Sequence, residues 1–208
     1  MPLFKKDNKT ILFIHIPKCA GTTIERAFED AGWDIEFLVE PARRGHKDWS
    51  PCNPQHWHYE DLLKNVHNNY NIDYEFTVVR NPFQRLLSEM YWRGNATNNI
   101  TESINTTGLQ YLNSYIKNNY TMDNHIRPQK QFIGPTTNVF RYENLQNVFD
   151  MLSRDFGVNS FANHYKTDAV KPTSMNNLSS QFKERYKEIY FGDHDLLKYN
   201  KPFEDSNE

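Results

Sequence analysis

Residues 11–23 read Ile-Leu-Phe-Ile-His-Ile-Pro-Lys-Cys-Ala-Gly-Thr-Thr. The apolar, β-branched run Ile11–Ile16 predicts a buried central strand. It enters a loop with a lysine, a glycine and two hydroxyls. Thr22–Ala31 then predicts a helix, with Ile24, Ala27 and Phe28 on one face and Gly32 as its stop. A strand–loop–helix turn aims backbone N–H groups and the positive end of a helix dipole at the loop, which suits a phosphate or sulfate. Gly21 lets the backbone approach an anion closely, and Lys18 adds a mobile point charge. The order is not that of a nucleoside-triphosphate loop, Gly-x4-Gly-Lys-Ser/Thr, because here the lysine precedes the glycine. Taken alone, the turn leaves two readings open: an anion site, or an ordinary βα connection with a chance lysine.

A second stretch repeats the theme. Tyr74–Val79 predicts a strand that runs into Arg80-Asn81-Pro82, and Pro82 suits the first turn of a helix carrying Phe83, Leu86, Leu87, Met90 and Tyr91. Ligands of parallel sheets collect at the carboxyl ends of strands. Arg80 stands at such an end, with a planar fork matched to a phosphate. Ser88 follows eight residues later, about two helical turns, on the side of the helix that Arg80 can reach. The bland alternatives are a salt bridge for Arg80 and a solvated position for Ser88. They leave unexplained why both motifs sit at matching strand ends.

Around these two motifs the pattern predicts strands at Ile35–Val39 and Val139–Tyr142, and helices at His58–Val66, Leu109–Lys117, Asn144–Phe156 (ended by Gly157), Ser179–Tyr190 and His194–Tyr199. Residues 41–54 predict a loop. The Asn- and Thr-rich stretch 95–108 predicts a mobile surface loop, and 201–208 a disordered tail. Strands alternating with helices predict an α/β chain: a P-loop-like three-layer fold with a small central parallel sheet flanked by helices, in one domain over residues 1–208.

Composition narrows the function classes. The 208 residues carry a net charge of −2 and a pI near 6.4, so bulk electrostatics argue against a nucleic-acid partner, and any basic site is local. Two cysteines, Cys19 and Cys52, make no disulfide framework, and no zinc-ligand spacing occurs, so no metal is expected. Met1–Thr10 reads as polar and charged, and Ile11–Ile16 is too short for a signal core or a span. The expectation is a soluble, cytoplasmic or otherwise intracellular chain with no membrane insertion. The Asn-x-Ser/Thr sequons at Asn95, Asn99, Asn105, Asn119 and Asn177 are then chance matches in an asparagine-rich chain.

His15-Ile-Pro-Lys-Cys-Ala-Gly-Thr-Thr23 together with Val79-Arg-Asn-Pro-Phe-Gln-Arg-Leu-Leu-Ser88 resembles the paired cofactor signatures of the sulfotransferases that use 3′-phosphoadenosine 5′-phosphosulfate (PAPS). The resemblance is nearest to the carbohydrate branch that includes the uronyl 2-O-sulfotransferases. His125-Ile-Arg-Pro-Gln-Lys-Gln-Phe132 and Phe140-Arg-Tyr-Glu-Asn-Leu145 fit that branch less sharply. The resemblance implies that Lys18, Cys19, Ala20, Gly21, Thr22 and Thr23 hold the 5′-phosphosulfate. It implies that Arg80 and Ser88 hold the 3′-phosphate, with Lys171 in a late Lys/Ser/Thr-rich stretch closing over it. The acceptor it implies is a saccharide hydroxyl.

Sulfuryl transfer to an alcohol needs a base, and an imidazole is the natural one near neutral pH. Of eight histidines, His15 lies within a strand and reads as packed, while His67, His164 and His194 read as surface. His56-Trp57-His58 opens a helix after a proline-rich loop. Its H-x-H pattern is similar to the paired histidines of the 2-O-sulfotransferases, which implies His58 as base and His56 as its assistant; the residues alone leave the choice between the two open. Arg43, Arg44, Trp57 and Arg127 are candidate acceptor-binding residues, since aromatics stack on sugar faces and cations take carboxylate or sulfate groups. A solvated charged loop with a core tryptophan accounts for the first three equally well. Two rival functions stand beside the sulfotransferase: a P-loop kinase, disfavoured because no strand-end aspartate follows Phe76–Val79 or Val139–Tyr142, and a non-catalytic nucleotide- or glycan-binding protein of the same fold.

Overall fold

The computed structural model describes residues 1–38, 50–163 and 177–203. The chain divides into two compact units, Met1–Arg80 with Gln131–Thr167, and Asn81–Lys130 with Asp168–Glu208.

The first unit holds a five-stranded sheet: β1 (Leu3–Lys6), β2 (Lys9–Ile14), β3 (Asp34–Glu36), β4 (Tyr74–Val79) and β5 (Asn138–Arg141), in the order β3-β1-β2-β4-β5. The central strands run parallel, with Phe13 opposite Phe76 and Phe76 opposite Asn138. β1 pairs antiparallel with both β2 and β3, so the sheet as a whole is mixed.

Strand alternation sorts the two faces. Phe4, Ile11 and Tyr74 are in register on one face. There Phe28 of α1 (Gly21–Asp30) stacks on Phe4 at 3.8 Å, and Phe156 of α6 (Leu145–Phe156) meets Tyr74 at 5.5 Å. On the other face Glu75 pairs with His67 at 3.2 Å. His67 ends the π-helical turn Leu63–His67 that continues α2 (Tyr59–Leu62). Helices thus cover both faces, which is the three-layer α/β arrangement expected.

β1 has no counterpart among the expected elements. Leu3 and Phe4 are fully buried, but the lysines around them mask a strand. The signal lay in Asp7-Asn8, both left-handed at φ 49° and 62°, the backbone of a two-residue hairpin turn.

The second unit is helical: α3 (Pro82–Trp92), α4 (Ile100–Ser103), α5 (Leu109–Lys117) and α7 (Ser180–Leu197). Phe83, Leu87, Met90, Ile104, Leu112, Phe182 and Tyr186 form its core. Asn81 caps α3, its Oδ1 accepting from the N–H groups of Phe83 and Gln84 at 3.1 and 3.2 Å, with Pro82 in the first turn.

Two corrections fall here. The stretch 95–108 is not a loop throughout: Asn99 caps α4, a π-helical turn follows at Ile104–Gly108, and it leads directly into α5. Ile104 is driven into the core, and Gly108 leaves room for Phe182 and Met90. The expected break between Ser179–Tyr190 and His194–Tyr199 is also absent. α7 runs through Gly192, whose missing side chain is the space that Lys130 occupies, and Asp193 beside it accepts from the N–H groups of Gln129 and Lys130 at 2.7 and 2.9 Å.

Candidate functional site

The loop between β2 and α1 is wound with alternating hand. Lys18 and Ala20 are left-handed, at φ 70° and 66°, with Cys19 of the ordinary hand between them. Left-handed backbone costs a non-glycine residue about 1–2 kcal/mol, and here it is adopted twice in three residues. Such alternation turns successive N–H groups toward one concavity, an anion nest. The carbonyl of Ala20 accepts from Thr23 and Ile24 at 3.1 and 3.2 Å, which starts α1. Gly21 and Thr22 stand in its first turn, where N–H groups lack an intrahelical acceptor. Cys19 turns its thiol inward, 3.8 Å from the carbonyl of Pro17, so any part it takes in a site is through its backbone.

Gly21 cannot be another residue while His15 stands where it does, because a Cβ at position 21 would fall 2.1 Å from Nε2 of the His15 ring. The ring is held by Glu25, whose Oε1 lies 2.5 Å from Nδ1, and both groups are buried. His56, also buried, meets the ring edge-on, with centroids 5.0 Å apart.

Arg80 follows β4, the strand parallel to β2, and is only 7 % exposed. It donates to the carbonyl of Lys18 at 3.4 Å and lies 4.1 Å over the ring of Tyr142, which follows β5. The carboxyl ends of three neighbouring parallel strands are thereby linked through one guanidinium.

His58 caps α2 and is buried. Its Nδ1 lies 2.5 Å from Oδ2 of Asp61, which also accepts the His58 backbone N–H at 3.4 Å. Its Nε2 lies 3.6 Å from the exposed carboxylate of Glu60.

A profile described as the sulfotransferase family matches residues 1–200. The chain belongs to the sulfotransferase family. No curated protein and no solved structure matches it. Membership brings sulfuryl transfer to an acceptor and sets aside the kinase alternative. Among the described residues, no helix of this sulfotransferase is long and apolar enough to cross a membrane.

The remaining candidates separate. Trp57 is 1 % exposed, its indole N–H donating to Ser50 Oγ at 2.9 Å and its ring tilted against Phe37. That corrects its reading as a sugar platform: the ring is core. Arg127 is buried within the second unit, donating from Nε to Asn124 Oδ1 at 2.9 Å and lying 4.7 Å over Tyr120. It follows three consecutive left-handed residues, Met122, Asp123 and Asn124. Ser88 is half-buried on α3, in the second unit. Thr22 is exposed and Thr23 buried. Arg43, Arg44 and Lys171 lie outside the described residues.

Three residues escaped sequence reading. Asp61 had a signal, the spacing of a capping box from His58. Tyr142 stood in a quoted motif with no role attached. Glu25 looked like one more charge on a helix, and nothing in the sequence ties it to His15.

The second unit of the sulfotransferase carries its own buried ionic cluster. Glu89 is fully buried and accepts from Arg93 and from His125 Nδ1, the latter at 2.7 Å. The His125 ring stacks on Trp92 at 5.5 Å. Burial holds His125 below its ordinary value, against the opposing pull of Glu89. Burial alone would raise Glu89, but the His125 hydrogen bond and the nearby Arg93 outweigh it and leave the carboxyl below its usual range. Asp193 is raised by burial despite the two N–H groups that reach it.

Proposed function

We propose that this sulfotransferase moves the sulfuryl group of PAPS to a hydroxyl of a saccharide, by in-line attack with His58 as the general base. The observation that carries the reading is the junction of Arg80 with Lys18. Two groups suited to anions, a nest at a helix N-terminus and an arginine fork, stand at adjacent parallel strand ends. A nucleotide with charge at both its 5′ and 3′ positions matches that donor set better than one with a single polyphosphate chain.

In this reading Lys18 and the amides of Gly21–Thr23 hold the 5′-phosphosulfate and counter the charge that grows on the bridging oxygen. Arg80 takes the 3′-phosphate through its fork. Asp61 accepts from Nδ1 of His58, which leaves the lone pair on Nε2 to receive the proton of the acceptor hydroxyl. The exposed carboxylate of Glu60 lies 3.6 Å from Nε2, on the side the acceptor would approach. His56 assists at the side of the loop backed by His15. As in phosphoryl transfer, positioning and fixed charge supply most of the rate.

The test is calorimetry followed by turnover. The desulfo product 3′-phosphoadenosine 5′-phosphate (PAP) should bind without a metal, and ATP with Mg²⁺ should not compete. Sulfate transfer from PAPS should then appear on at least one member of a glycan panel. Tight ATP–Mg binding with PAP ignored would overturn the donor assignment. PAP binding with no transfer to any glycan would overturn the acceptor class.

A further inference from the structure

Gly21 and Glu25 are four residues apart on α1, so they lie one turn apart on the same face. The imidazole of His15, just past the end of β2, lies along that face. Its Nδ1 is 2.5 Å from Glu25 Oε1, and its opposite edge fills the space that the absent Gly21 side chain leaves. The two edges of the ring thus meet positions one helical turn apart. It joins the strand that leads into the loop to the helix that leaves it, and it presents its flank to His56 at 5.0 Å. An ordinary packed histidine needs neither a buried carboxylate partner nor a glycine cut away to admit it. Glu25 is equally specific, since a buried carboxylate on an otherwise apolar helix face is disfavoured without a partner.

We propose that Glu25 and His15 are positioning residues of the donor site: the pair fixes the first turn of α1, whose amides receive the phosphosulfate, and it fixes the ring of His56. The proposal rests on the donor reading given above. The backbone at Lys18 and Ala20 is strained, and a strained turn persists only where its surroundings hold it. The Glu25–His15 pair supplies that hold from inside, on the side of α1 away from solvent.

The pair also recasts the role of Gly21. Glycine at this point admits the histidine, so its requirement should depend on the histidine being present. Calorimetry with PAP reads this directly. Gly21→Ala should weaken PAP binding at least tenfold when His15 is present. In a His15→Ala background the same methyl has room, so His15→Ala/Gly21→Ala should bind PAP as His15→Ala does, within about twofold. An equal loss in both backgrounds would mean that Gly21 serves the ligand and not the histidine, and would overturn the proposal.

Because His15→Ala opens a hole in the interior, Glu25→Gln gives a gentler second arm, read on the ligand-free protein by amide hydrogen exchange. Loss of the carboxylate should speed exchange at Thr23, Ile24 and Glu25 tenfold or more relative to the amides of α6. Unchanged relative exchange would overturn the proposal. If the wild-type protein does not bind PAP, the donor reading fails, and exchange in Glu25→Gln still decides whether the pair holds the helix.

Discussion

The guanidinium of Arg80 lies 4.1 Å over the ring of Tyr142 while donating to the carbonyl of Lys18. One arginine is thus fixed flat by an aromatic face and tied by its edge to the loop between β2 and α1, so the proposed 3′-phosphate would have little ordering left to impose. Lysine keeps the charge but neither the fork nor the stacking plane. Arg80→Lys should weaken PAP about 10- to 100-fold, the scale of a hydrogen bond to a charged group. Tyr142→Leu leaves the fork and removes only the stacking, so its loss should be about three- to fivefold. Calorimetry on the two variants checks the order, and an Arg80→Lys protein that binds PAP as the wild type does would remove Arg80 from the site.

Lys18 separates binding from chemistry. Lys18→Met keeps the length of the side chain and the left-handed strain of the position, and deletes only the charge. If that charge meets the oxygen that leaves the sulfuryl group, kcat should fall about 10²- to 10³-fold, as when one oxyanion donor is removed. PAP affinity should change much less. Steady-state kinetics beside calorimetry give the split, and a loss confined to affinity, with kcat intact, would place the lysine in ground-state binding alone.

What could be read in the sequence, and what could not, follows from how local each cause is. β2 was legible because its buried half, Ile11–Ile14, is an apolar run, and β4 because its aromatic and β-branched residues, Tyr74, Phe76, Thr77, Val78 and Val79, lead straight into Arg80-Asn81-Pro82. The loop after β2 was legible as a candidate anion site because Lys18, Gly21, Thr22 and Thr23 lie within six consecutive residues. β1 was hidden because its burial comes from pairing on both edges and its own residues are half lysine. α4 was hidden by Asn and Thr, which suit loops in isolation, although Asn99 and Glu102 mark a capped start. The junctions of Arg80 with Tyr142 and of His15 with Glu25 are products of the sheet order and of how a helix lies on its strand, and no short-range spacing encodes them. Trp57 shows the converse: its indole suited a sugar and a core equally, and only the fold decides.

His58 tests the base. Asparagine is among the best residues at a helix N-cap, so His58→Asn keeps the start of α2 and removes the imidazole. Turnover should fall about 10²- to 10⁴-fold, the span of general-base catalysis, with PAP binding and the circular dichroism of the folded chain unchanged. Asp61→Asn keeps the ring in place but weakens its orientation, and should lower kcat by a smaller factor. Wild-type turnover in His58→Asn would pass the base role to His56, and His56→Asn would then show the large loss.

The ionic cluster of the second unit sets how stability responds to acid. His125 titrates below its ordinary 6.5 when folded, held there by burial, with Glu89, Arg93 and Asp123 as the charges that bear on it. His194 is depressed by burial as well. Between their folded values and 6.5 the unfolded chain binds protons that the folded chain does not, so stability is full above 6.5 and declines as pH falls. Glu89, also depressed, adds a further loss below its ordinary 4.5. Asp193 works the other way, because its raised carboxyl takes up a proton more readily when folded. The two histidines act first on acidification, so the urea midpoint should drop from pH 7 to pH 5.5. His125→Gln can still donate to Glu89 but does not titrate, and should flatten part of that drop. A midpoint that holds or rises on acidification, or a His125→Gln protein with the full wild-type slope, would show that the buried histidine does not govern the response.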